Sequence, residues 1–313
     1  MLPRADGRVA SLRTTAGTSG VPGPSRSLPP IVCGVDHRYA LPLTALMRSL
    51  AAVESETTEA LRIIVLHGGL DSASQKMIGY TADEVGLTLE FRRVTGADAA
   101  YPVSGWISDA VYLRLAIADT ILDEPRVLYL DADVLVLRDI RPLLSQPLGG
   151  LGMGAVRDPQ NPIVGVGIAL PGWERIGVPR GREYFNSGVL LLDLELCRRQ
   201  CLFPAATRFL RTYPGEARLW DQDALNVAAD DRWTRLERRW NTFVISPLVG
   251  LPGFTHANAE PVMPLATLLG DERDAAVLHF GGPLKPWSSG YPAGPMRDLY
   301  RRFLDPARER VLR

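Results

Sequence analysis

Two aspartates one residue apart, Asp131-Ala132-Asp133, follow an apolar run at 127–130 and precede another at 134–137. In an extended chain, residues i and i+2 point to the same face, so the two carboxylates would share one side. Like charges held together among apolar neighbours repel each other. A hard divalent cation relieves that repulsion, takes oxygen ligands and can bridge onward to phosphate oxygens. The same triplet also suits solvated or helix-capping aspartates at a strand end, and taken alone it leaves both readings open.

A second segment carries complementary chemistry: His279-Phe280-Gly281-Gly282-Pro283-Leu284-Lys285-Pro286-Trp287. Imidazole is a good ligand for Mn²⁺ and similar ions. Adjacent glycines let a backbone approach a phosphate closely. Lys285 offers a compact positive charge for a diphosphate. The chain is otherwise rich in arginine, with Lys76 its only other lysine, which suggests a steric need for the slimmer side chain at 285. A histidine beside an apolar strand can equally be a satisfied core residue. Its pairing with the aspartate triplet favours the metal reading.

Alternating elements would position these groups. Short apolar runs at 31–35, 61–66, 87–94 and 127–130 read as buried strands. Between them, 43–53 has helical spacing, with Leu43, Leu46, Met47 and Leu50 on one face. Asp71 or Ser72 can cap a second helix, and 108–118 reads as a third. This alternation predicts a parallel sheet covered by helices on both faces, with ligands at the carboxyl ends of its strands. Asp36 and Asp131 both fall at such ends. The order is less clear over 140–183, where Gly and Pro are frequent. A strand follows at 187–192, then a helix to about 211, a short helix at 220–229, a loop-rich stretch at 242–275, a last strand at 277–280 and a helix at 295–304.

Composition bounds the function. The 313 residues are 46% apolar and 22% charged, with 35 basic and 35 acidic side chains. The balanced charge argues against a general nucleic-acid binder. No apolar run approaches the ~18 residues of a transmembrane helix. Three cysteines, Cys33, Cys197 and Cys201, do not make a disulfide framework, and a cytoplasmic location is expected. Residues 1–30 read as a disordered extension, with a transit peptide as the alternative. Residues 291–313 read as an arginine-rich helical tail. A solvated face explains those arginines; membrane association is the alternative.

In their order along the chain, these pieces resemble the family 8 retaining glycosyltransferases. The resemblance spans about 31–290. It rests on Ile31-Val32-Cys33-Gly34-Val35-Asp36 with Tyr39, on Tyr112-Leu113-Arg114-Leu115, and on Leu128-Tyr129-Leu130-Asp131-Ala132-Asp133. It continues through Phe185-Asn186-Ser187-Gly188-Val189, Trp220-Asp221-Gln222-Asp223-Ala224-Leu225-Asn226, Trp240-Asn241 and the 279–287 segment. The resemblance implies a GT-A fold: a Rossmann-like, mostly parallel central sheet flanked by helices, with a loop-rich C-terminal acceptor region. It also implies a UDP-sugar donor and Mn²⁺, with Mg²⁺ as the alternative ion. Asp131, Asp133 and His279 would be the metal ligands. Gly34, Asp36 and Tyr39 would lie at the base, and Gly282 and Lys285 at the diphosphate, with Ala132 inside the metal motif. Arg114, Asn186, Asp221 and Gln222 would meet the donor sugar. Asp158 lies where the family often has an acidic sugar-binding residue. Arg38 and His37 depart from the family's residues beside the base, so a donor other than UDP stays open.

The implied reaction moves a hexose to a hydroxyl-bearing acceptor whose class, like the oligomeric state, the sequence does not specify. Gln222, an amide, occupies the place where a double inversion would need a nucleophile, which favours front-side attack. Three other readings make different demands on the chain. A haloacid-dehalogenase-type phosphatase places its Asp-x-Asp near the start of its core and follows it with Thr or Val, whereas position 135 is Leu. A sugar nucleotidyltransferase needs an N-terminal Gly-rich loop that 31–39 lacks. A non-catalytic nucleotide-sugar binder of the same fold is the alternative to the enzyme.

Overall fold

The computed structural model describes residues 28–53, 60–95, 101, 107–256 and 261–304. The expected extension at 1–30 lies outside them except for 28–30, as does the tail from 305 onward. In chain order the strands are β1 (Ile31–Gly34), β2 (Arg62–His67), β3 (Thr88–Arg93), β4 (Arg126–Leu130), β5 (Val134–Val136), β6 (Met153–Arg157), β7 (Phe185–Asp193), β8 (Thr234–Arg235), β9 (Thr242–Phe243) and β10 (Val277–His279). Seven of them form one sheet in the order β3-β2-β1-β4-β7-β6-β8. β1, β2, β3 and β4 pair in parallel. β7 is antiparallel to both β4 and β6, and β8 is parallel to β6, so β7 alone runs against the rest.

Both faces of the sheet are covered, which explains the continuous apolar runs. Val32, Leu190 and Leu192 belong to one core cluster, while Ile31, Cys33, Val189 and Leu191 belong to the other. The helix Ala40–Ala52 buries Leu43, Leu46, Met47 and Leu50, the residues that its spacing singled out. Asp71 caps the helix Ser72–Val85 by accepting the Ser74 N–H at 2.7 Å, and Gly86 ends it at φ 71°.

Several local expectations are corrected. The segment expected as an α-helix over 108–118 is a 3₁₀ coil, Asp109–Ala116, running into the short α-helix Ile117–Thr120. Arg114 is drawn inward there by buried partners, so tertiary contacts override helical preference. The helix expected to continue to about 211 is split into Leu194–Arg199 and Leu202–Thr212, with Cys201 left-handed at φ 52° between them. The loop-rich stretch at 242–275 contains the helix Leu265–Asp274. Its anchor is Glu272, which is buried and accepts the N–H groups of Ile245 and Ser246 at 2.6 and 2.7 Å. Cys197 donates its thiol to the Gly152 carbonyl, a packing role.

A small second sheet, β5-β10-β9, positions the C-terminal segment. β10 runs antiparallel to β5 with His279 opposite Val134, and parallel to β9. The helix Pro295–Phe303 closes over this sheet through Tyr300, fully buried and edge-on to Phe280 at 5.0 Å between ring centres. No helix among the described residues is long and apolar enough to cross a membrane.

Candidate active site

The Asp131-Ala132-Asp133 triplet lies in the turn that leaves β4 for β5, not in extended strand. The carboxylates therefore do not converge by strand alternation, as the spacing suggested. They converge because the turn is tied on both sides. The Asp131 N–H donates to the Gly188 carbonyl of β7 at 2.8 Å, and the Phe280 N–H donates to the Asp133 carbonyl at 3.0 Å. With His279 opposite Val134, the imidazole stands one residue from Asp133 across the small sheet.

Each carboxylate has one oxygen engaged and one turned to the imidazole. Asp131 Oδ1 accepts from Arg114 at 2.8 Å and from the Tyr129 hydroxyl at 2.9 Å, and its Oδ2 lies 3.8 Å from His279 Nε2. Asp133 Oδ2 accepts from Lys285 Nζ at 2.5 Å, and its Oδ1 lies 3.4 Å from His279 Nε2. Burial opposes ionisation of Asp133, but Lys285 and His279 beside it hold its carboxyl below the usual carboxylate range. His279 Nδ1 is 2.9 Å from Asn241 Oδ1. An amide oxygen only accepts, so Nδ1 donates to it and Nε2 is the ring nitrogen that faces the carboxylates. Candidate ligand atoms of the three residues lie within 4.8 Å of one another. Two carboxylate oxygens and one imidazole nitrogen suit a divalent cation such as Mn²⁺.

Behind His279 runs a head-to-tail chain of amides. Asn241 Nδ2 donates to Asn186 Oδ1 at 2.8 Å, Asn186 Nδ2 to Gln222 Oε1 at 2.8 Å, and Gln222 Nε2 to Asp158 Oδ2 at 3.2 Å. All five residues are buried. Gln222 Oε1 also accepts the Ser187 N–H at 3.0 Å, which occupies both of its lone pairs. Asp158 Oδ1 accepts the N–H groups of Gln160 and Asn161, which closes the following turn.

Arg114 is 4% exposed, and its donors are committed to the protein. Its guanidinium pairs with Asp131 and with Asp221 at 2.9 Å, donates to the Ser187 carbonyl at 2.6 Å and lies over the Tyr129 ring. Burial pushes the Asp221 carboxyl up to about 6 against the pull of Arg114. Asp221, Gln222 and Asp223 open the helix Trp220–Ala229, so they project in different directions. Trp220 adopts φ 50° at its first position, a left-handed conformation that costs about 1 kcal/mol and is kept at functional sites.

Asp223 acts as a staple between segments. It accepts from Leu170 N at 3.0 Å, Leu219 N at 2.7 Å and the Tyr184 hydroxyl at 2.6 Å. Asp223→Ala would strand two buried donors and one part-buried donor and is expected to destabilise the protein by about 3 kcal/mol in urea denaturation. Burial raises this carboxyl to about 7. A folded-state value above the unfolded one means that the native protein binds the extra proton. Stability contributed here therefore falls as pH rises from about 4 to about 7, and Asp223→Asn should flatten that slope.

A cavity of about 520 Å³ opens over these groups. Gly34, Tyr39, Arg114, Asp131, Ala132 and Asp133 line it from the amino-terminal half. Asn186, Asp221, Gln222, His279, Gly282 and Lys285 line it from the other half. Asp36 does not line it; its carboxylate accepts from the N–H groups of Arg38 and Tyr39 and shapes the turn after β1. The cavity also takes in Ser108, Ile168, Phe243 and His256, which no spacing or motif marked. The part played by Tyr129 and Asn241 was likewise missed, because it depends on partners distant in sequence.

A mostly parallel α/β sheet with a carboxylate–imidazole cluster at its strand ends, over a cleft of this size, is the architecture of the GT-A fold. The sequence profile of glycosyl transferase family 8 matches residues 30–290, and the chain belongs to that family. General stress protein A of Bacillus subtilis (strain 168) is 30% identical over 287 residues, covering 88% of this chain and 92% of that protein. The lipopolysaccharide 1,2-glucosyltransferase of Escherichia coli (strain K12) is 32% identical over 181 residues, covering 58% of this chain and 49% of that one. The crystal structure of the galactosyltransferase LgtC with donor and acceptor sugar analogues superposes with a TM-score of 0.68 at 26% identity, covering 87% of this chain and 94% of LgtC.

Proposed function

We propose that this glycosyltransferase is a metal-dependent, retaining hexosyltransferase. It would move a hexose from a nucleotide diphosphate sugar, a UDP-sugar by family resemblance, to a hydroxyl acceptor by front-side attack in the cytoplasm. The observation that carries the reading is the convergence of Asp131 Oδ2, Asp133 Oδ1 and His279 Nε2 beside Lys285 at the cavity wall. A bound Mn²⁺ or Mg²⁺ would supply Lewis-acid neutralisation of the diphosphate. Lys285 adds a fixed positive charge on the same side, where charge develops as the donor bond breaks. Gly282, at φ 83°, offers backbone that no side chain shields. Arg114 positions Asp131, and Asn241 orients the His279 ring.

Retention by double inversion would need a free nucleophile on the far face of the sugar. Gln222 Oε1 already accepts two hydrogen bonds, and Asp221 is held by Arg114 and by the Ser187 hydroxyl at 3.2 Å. This supports attack from the leaving-group side, with a departing phosphate oxygen taking the acceptor proton. Gln222→Ala is expected to slow transfer about 10²-fold yet leave the product's anomeric configuration retained, read by NMR of the glycoside. A covalent sugar trapped on Asp221 or Asp223 would refute front-side attack.

A further inference from the structure

Next to the main cavity lies a second recess of about 300 Å³. The two share Gln160, Phe243, His279, Gly281, Gly282 and Pro283 in their walls, so the recess is continuous with the carboxylate–imidazole cluster. Apart from that shared wall it is apolar, with Val244, Ile245, Leu248, Leu251, Phe254 and Leu284 lining it and no Asp, Glu, Lys or Arg. Its construction is regular. Leu248 N–H donates to the Ile245 carbonyl, Leu251 N–H to Leu248 and Phe254 N–H to Leu251, at 2.8, 3.0 and 3.1 Å. These successive turns bring Ile245, Leu248, Leu251 and Phe254 to the recess, with Gly250 and Gly253 at φ 89° and 85° reversing the chain between them.

Such a stretch is costly on a surface unless something covers it. Leu248, Leu251 and Phe254 are only half-buried, and Leu284 and Val249 are 36% and 42% exposed. A sugar's hydroxyls would find few partners on these walls, which carry no charged side chain. An aryl or short alkyl group would pack against them, and a recess of this volume would hold about ten water-sized groups.

We propose that this recess seats the apolar end of the acceptor. The acceptor is then an amphiphilic glycoside or alcohol whose aryl or alkyl group lies along 245–254 and whose hydroxyl reaches past Gly281 to the transfer site. The proposal rests on the transferase reading above, and its test separates the two.

The full-length protein with Mn²⁺ is titrated with methyl, hexyl and p-nitrophenyl β-galactosides, and with the matching β-glucosides. Binding is measured directly by calorimetry, and hydrolysis of the UDP-sugar donor is followed in parallel. Hexyl and p-nitrophenyl glycosides are expected to bind at least tenfold tighter than the methyl glycoside of the same sugar. Leu251→Asp and the space-filling Leu248→Trp, both outside the main cavity, should erase that difference while leaving donor hydrolysis unchanged. Equal binding of all three aglycones, or a preference that survives both variants, overturns the proposal. Absence of donor hydrolysis in the wild-type protein would instead strike the transferase reading.

Discussion

Gly188→Ala is expected to abolish sugar transfer although it removes no charge and no hydrogen bond. A Cβ at this position would collide with His279 Cε1 and stand 2.9 Å from both His279 Nδ1 and Asp131 Oδ2. The backbone cannot retreat, because the Gly188 N–H donates to Asn186 Oδ1 and its carbonyl accepts from Asp131 N. The imidazole must therefore swing away from the two carboxylates and lose Asn241. Disturbing the orientation of a metal ligand costs roughly 10–100-fold in affinity. The expected result is a loss of Mn²⁺ affinity of about 100-fold and of kcat of about 10³-fold, with circular dichroism unchanged. Transfer within a factor of ten of the wild type would show that His279 has no part in the site.

Asp133→Asn removes a proposed metal ligand and a counter-charge together. Lys285, only 9% exposed, has Asp133 Oδ2 and the Phe280 carbonyl as its partners. An amide in place of the carboxylate leaves the ammonium ion buried without its anion, which typically costs about 3 kcal/mol of stability. The variant should lose metal-dependent activity by about 10³-fold or more and unfold at lower urea. Arg114 holds one oxygen of Asp131 and Lys285 one oxygen of Asp133, so each carboxylate has a fixed orientation within the protein. Asp131→Asn keeps acceptors for Arg114 and Tyr129, and is expected to lose activity with less loss of stability.

The chemistry-bearing residues were legible where local sequence announces them. An Asp-x-Asp after an apolar strand, and a His before Gly-Gly-Pro and a lone Lys, can be read without knowing the fold. The alternation of strands and helices before residue 130 was legible for the same reason. Local sequence did not show that β10 pairs with β5, which sets His279 beside Asp133. It also hid β6, whose register shifts between Ala155 and Val156 amid glycines and prolines. The helix Leu265–Asp274 was missed because its anchor, Glu272, looks like one more surface acid until Ile245 and Ser246 are seen beside it. Asn241 belongs to a motif of the resemblance, but its role stayed unassigned, since an amide's role is set by which neighbours it joins.

The central claim is that Asp131, Asp133 and His279 hold a divalent cation through which the chain binds and cleaves a nucleotide diphosphate sugar. Donor binding and hydrolysis across UDP-glucose, UDP-galactose and other nucleotide sugars, each with Mn²⁺ and with EDTA, test it most directly. The account predicts tight binding and slow hydrolysis of a UDP-sugar with Mn²⁺, both lost with EDTA and both lost in Asp133→Asn. Equal binding with and without the ion, or hydrolysis undiminished in Asp133→Asn, would contradict it.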